Sequence, residues 1–116
     1  MPRKLIPVRP DAQDALVVVG QQIKHARRTR GWSVVDTAAR MGISPTTYTS
    51  IERGHAGTAI GTVFNAASIL GVPLFSTTDP VELARLRRSG ERDLGLLDLR
   101  IARGTTREAK VDGFPA

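Results

Sequence analysis

The chain has no cysteine and only five aromatic residues, Trp32, Tyr48, Phe64, Phe75 and Phe114. The first absence excludes disulfides and thiolate metal sites. The second, beside a hydrophobic content of 41%, leaves a core of aliphatic side chains and alanine. Long apolar runs are missing as well. The longest, Ala15 to Val19, falls far short of the roughly 20 residues that cross a bilayer, and Met1 to Pro10 lacks the apolar centre of a secretory signal. A cytoplasmic location is therefore expected. His25 and His55 have no partner at metal-ligand spacing, and Gly54, Gly57 and Gly61 neither follow a strand nor precede a P-loop lysine. No metal, no cofactor and no catalytic residue is expected, and the chain does not read as an enzyme.

What the chain has is positive charge, unevenly placed. The net charge is +6, and residues 1–30 hold seven basic residues (Arg3, Lys4, Arg9, Lys24, Arg27, Arg28, Arg30) against Asp11 and Asp14, an excess of five. Nucleic acid is the natural polyanion for such a patch, because no long amphipathic helix with an aromatic face accompanies it to suggest a membrane surface.

The stretch from Ser33 to Gly54, SVVDTAARMGISPTTYTSIERG, reads as two short helices joined by a tight turn. Ser33 is an N-cap for Val34 to Met41, with Asp36 in the first turn at the favourable end of the helix dipole. Gly42 stands where the chain must turn sharply. Ser44 and Pro45 restart a helix that runs to about Arg53, serine as cap and proline at the first helical position. Spacing turns Thr47, Tyr48 and Ile51 inward and leaves Thr46, Thr49, Ser50 and Arg53 outward.

Ala38, Gly42, Ile43, Ser44, Ile51, Glu52, Arg53 and Gly54 resemble, position by position, the Cro/CI-type (Xre-type) helix-turn-helix family of repressors, over a span from Val19 to about Val72. The departure is Val34, where the family usually has a phosphate-gripping glutamine. The resemblance implies an all-α fold: a compact five-helix Cro/CI-type domain with a C-terminal helical, partly disordered tail. It also implies double-stranded DNA as partner, read by a homodimer on an inverted repeat. Bases would be read from Pro45, Thr46, Thr49 and Ser50. Phosphates would be held by Ser44, Arg53, Lys24, Arg27, Arg28 and Arg30. Glu52 is expected to be structural, pairing with an arginine of the first helices.

The remaining segments fill in around this motif. Residues 1–11 form a basic arm, 12–76 the DNA-binding domain and 77–116 a tail. Within the domain, Asp11 to Arg30 reads as a helix capped by Asp11 or Asp14, with Leu16, Val19, Ile23 and Ala26 as its core stripe. Trp32 is expected to plug the core. Thr58 would cap a helix from Ala59 to Leu70 with Ile60, Val63, Phe64, Ala67 and Leu70 inward, and Pro73 would start a last short helix. In the tail, one helix is expected from Pro80, capped by Asp79, and another over Glu91 to Ala102, serving dimerisation or partner docking, or folding back on the core. The end of the tail, with Lys110, Val111, Asp112 and Phe114, is similar to that of Xre-type antitoxins that accompany HipA-type kinase toxins, which makes a toxin a possible second partner.

Overall fold

The computed structural model describes residues 7–103. The chain divides into two units, Met1–Thr78 and Asp79–Ala116. The first holds α1 (Pro10–Thr29), α2 (Val34–Met41), α3 (Pro45–Glu52) and α4 (Ile60–Leu70), and the second holds α5 (Pro80–Ala102). The architecture is all-α. Its strand-like content among the described residues is one isolated bridge between Leu74 and Thr77.

The core of the first unit gathers Ile23 from α1, Ala38 from α2, Tyr48 and Ile51 from α3, Ala66, Ala67 and Leu70 from α4, and Val72. Around it Val19, Ala26, Trp32, Val34, Met41 and Ile43 are partly buried. Two glycines let α1 lie directly on the end of α3. A Cβ on Gly20 would sit 2.4 Å from the Glu52 carbonyl oxygen and 2.7 Å from that of Ile51. Gly54 has φ +71°, and a Cβ there would come within 2.7 Å of the Val17 amide nitrogen. The Gln13 side-chain amide closes this contact by donating to the Gly54 carbonyl at 3.0 Å. Backbone therefore packs on backbone, which no side chain could permit.

The α2–α3 pair forms as its sequence dictates. Ser33 Oγ accepts the Asp36 amide at 2.9 Å, and Ser44 Oγ accepts the Thr47 amide at 3.1 Å. Gly42 ends α2 in the left-handed region at φ +72°, and the Ile43 amide reaches back to Ala38 at 3.0 Å. Thr47, expected to pack inward, is exposed; at the helix start its hydroxyl meets Ser44 Oγ at 3.0 Å instead.

Elsewhere the chain departs from expectation. α1 is capped by neither Asp11 nor Asp14: it starts at Pro10, with Arg9 in the cap position and no side-chain cap bond. Proline at the first position fixes φ and leaves one fewer amide to satisfy. Nor does Thr58 cap α4, whose N-cap is Ala59 without a side-chain bond. Ile60 and Phe64 are not core residues, being 70% and 36% exposed. No helix begins at Pro73. Phe75 and Ser76 both take positive φ, +53° and +66°, in a tight turn closed by the Leu74 and Thr77 hydrogen bonds, and Phe75 meets Phe64 edge-on at 6.3 Å. Pro73 also biases the residue before it away from helical geometry. The two expected tail helices are one continuous α5, capped by Asp79 Oδ1 on the Val81 amide at 2.9 Å; Ser89 and Gly90 weaken a helix without stopping it.

Candidate nucleic-acid interface

The floor under α3 is a buried ion pair. Arg27 Nε donates to Glu52 Oε2 at 2.6 Å and Nη2 to Oε1 at 3.2 Å, while Nη1 reaches the Trp32 carbonyl at 2.8 Å. The two side chains are only 9% and 8% exposed. The hydrogen bond to Glu52 raises the Arg27 guanidinium above its ordinary value, against a smaller opposing effect of burial. Burial pushes the Glu52 carboxyl up, but Arg27, the Tyr48 phenol beside it and the charge of Lys24 outweigh burial and leave it below the usual carboxylate range. Burial, and then Glu52, raise the Tyr48 phenol. Three side chains from α1 and α3 thus lock the inner face of α3 in place.

The outer face is thereby determined. Thr46, Thr49, Ser50 and Arg53 recur at three- and four-residue spacing on the side away from Tyr48 and Ile51. Thr46 and Arg53 are exposed, Thr49 and Ser50 half-buried. The Ser50 hydroxyl donates to the Thr46 carbonyl at 3.2 Å, which leaves its oxygen lone pairs to accept. Pro45 is exposed at the start of the helix and has no amide to donate. Ser44 is spent on its cap.

Of the expected phosphate ligands, Lys24 and Arg28 line one shallow depression on α1 with Gln21, His25 and Thr29. Arg27 is a correction. Its guanidinium is buried and turned inward, with three of its N–H donors held by Glu52 and the Trp32 carbonyl, so it is not placed to meet a phosphate. Basic spacing on α1 groups Arg27 with Arg28, yet Arg27 is buried and Arg28 exposed. Glu52 has the arginine partner expected of it.

Trp32 is half-buried and does more than fill the core. The Arg30 guanidinium lies 5.1 Å and that of Arg40 4.0 Å from its ring centroid, inside cation–π reach. Arg40 was not singled out from the sequence. Its place in the last turn of α2 is legible, but its approach to Trp32, eight residues earlier, is a tertiary contact that no local pattern announces.

A family model described as helix-turn-helix matches residues 23–75. Residues 23–75 are a helix-turn-helix domain of the Cro/CI (Xre) type. In this helix-turn-helix domain α2 and α3 are the paired helices, and the domain is a DNA-binding one of the kind found in regulators. Comparison with curated proteins and with solved structures gives no match. No helix among the described residues is long and apolar enough to cross a membrane. The antitoxin-like residues Lys110, Val111, Asp112 and Phe114 lie outside the described residues.

Proposed function

We propose that the protein is a cytoplasmic transcriptional repressor that binds an inverted-repeat operator as a homodimer and controls its own gene. The observation that carries this reading is the two-sided construction of α3. Its inner face is fixed by Tyr48, Ile51 and the Arg27–Glu52 pair, and its outer face offers hydroxyls and one guanidinium, Thr46, Thr49, Ser50 and Arg53. Such a helix fits a major groove. Threonine and serine accept or donate to base edges, threonine and Pro45 also touch thymine methyls, and none is a bidentate reader. Direct readout is therefore modest, and phosphate contacts from Lys24, Arg28, Arg30 and Arg53 together with DNA shape supply much of the selectivity.

The test is DNA from immediately upstream of the gene, titrated by mobility shift across a salt series. That fragment is expected to bind far more tightly than random DNA, and Thr46→Ala/Ser50→Ala to lose the preference. Equal affinity for both DNAs at every salt would sink the repressor reading. A second reading, an antitoxin or adaptor that mainly neutralises a protein such as a HipA-type kinase toxin, is favoured by one observation: α5 has no buried residue and several exposed leucines. Tail-dependent capture of a toxin without an operator shift would support it.

A further inference from the structure

Helix α5 runs for 23 residues without burying a side chain. Most helical stability comes from packing an amphipathic face rather than from propensity, and Gly90 and Gly95 lower the propensity of this helix further, so its apolar stripe is what a partner covers to hold it. Steps of three and four place Leu83, Leu86, Gly90, Leu94, Leu97 and Ile101 on one stripe. Leu94, Leu97 and Ile101 are 63%, 45% and 60% exposed. The stripe is nearly a palindrome about position 92. Reversing it exchanges Leu83 with Ile101 and Gly90 with Leu94, and brings Leu86 to within one residue of Leu97.

We propose that α5 pairs with α5 of a second copy in antiparallel alignment, with the two-fold axis near Arg92. The inference rests on the dimeric repressor reading and specifies its interface. Leu94 of each copy then lies over Gly90 of the other, where no atom stands within 4 Å of the place a Cβ would take. Large meets small along the seam. The flanking charges agree with the same reversal. Arg87 and Asp98 share one edge of the stripe, and antiparallel pairing brings each Arg87 beside Asp98 of the second copy. Glu82, whose carboxylate also pairs with Arg85 of its own helix, shares the other edge with Arg100 and meets it in the same way.

Two acids meet their own copies near the axis. Glu91 is held by Arg87 of its own helix at 2.9 Å, and Asp93 contributes a repulsion set against the reciprocal Arg87–Asp98 and Glu82–Arg100 attractions. Parallel pairing is worse, since it faces Gly90 with Gly90 and brings each Asp93 towards Asp98 of the other copy. Leu96 and Leu99 lie off the stripe, among Arg88 and Arg92.

Because the chain has no cysteine, single cysteines report the pairing without interference. Full-length Leu83→Cys and Ile101→Cys are oxidised alone and after mixing. A disulfide-linked dimer is expected from the mixture and from neither variant alone. Self-linking of Leu83→Cys would mean parallel helices and overturn the proposal. So would a mixture that fails to link, whether light scattering shows a dimer joined elsewhere or a monomer whose α5 face belongs to a different protein. Charge exchange gives an independent reading: Arg87→Asp and Asp98→Arg each weaken dimerisation by roughly tenfold, and the double variant recovers it. The upstream-DNA titration separates the two levels. Specific binding by a dimer that does not link through α5 rejects the pairing alone, and linking without specific binding rejects the repressor alone.

Discussion

Arg27 and Glu52 form the contact on which the orientation of α3 depends, and removing either leaves the other charge buried without a partner. Such losses cost about 3–5 kcal/mol, a large share of the roughly 5–15 kcal/mol that holds a domain folded. Arg27→Ala is therefore expected to lower the urea midpoint sharply in Trp32 fluorescence or circular dichroism, and Arg27→Lys to recover only part, since an ammonium cannot reproduce the two-pronged bond. The pH dependence has a definite sign. Glu52 titrates below its unfolded value in the native state, so its contribution is complete above the ordinary carboxylate range and disappears as pH falls through the lowered native value. Stability of the wild type should drop in that acid window, and Glu52→Gln, less stable at neutral pH, should show a smaller drop there. Gly20 is as strict for another reason. Gly20→Ala places a methyl against two carbonyl oxygens of α3, and because both are backbone the helices must separate. A loss of about 1–3 kcal/mol or more is expected in the same denaturation assay, and a neutral Gly20→Ala would refute the close approach of α1 to α3.

At the scale of the element, what was legible in the sequence was whatever local chemistry decides. Ser33, Gly42, Ser44 and Pro45 act on their own neighbours, so α2 and the start of α3 could be placed to the residue. Ser44→Ala is expected to cost about 1 kcal/mol, read as a lower unfolding midpoint. The illegible parts depend on distant partners. Whether Arg27 turns inward or outward is decided by a carboxylate on α3, which helical spacing on α1 cannot reveal. The turn at Phe75 and Ser76 uses positive φ on residues that seldom adopt it, and no local pattern announces it. Gly90 reads as a break between tail helices when only propensity is weighed, yet one glycine costs about 1 kcal/mol, which a 23-residue helix absorbs. α4 offers a gain in the other direction. Ala59 sits in extended geometry at its N-cap, φ −65° and ψ 134°, with no side-chain bond, so Ala59→Ser or Ala59→Asp should stabilise by about 0.5–1 kcal/mol. An unchanged midpoint in both would show that the first amides of α4 are already satisfied.

At the scale of the whole molecule, the cations of residues 1–30 stand in two settings, buried and exposed, and a salt series tests what the exposed ones do. Arg27 is consumed inside the domain, whereas Lys24 and Arg28 stand on the surface of α1. A cation that contacts phosphate releases counterions on binding, so the logarithm of affinity falls with the logarithm of salt by about 0.9 per contact on B-DNA. If Arg28 makes one such contact, Arg28→Ala should weaken binding to operator and random DNA alike and flatten the slope by about that amount, with the unfolding midpoint unchanged. Arg27→Ala should behave in the opposite way. The concentration of active protein falls as the domain unfolds, while the slope measured on the folded fraction keeps its wild-type value. Thr46→Ala/Ser50→Ala completes the pattern, losing preference for the upstream fragment at an unaltered slope, because hydroxyls release no counterions. An Arg28→Ala slope equal to wild type would place the electrostatic contact on other cations, with Arg40 and Arg30 beside Trp32 the next to substitute.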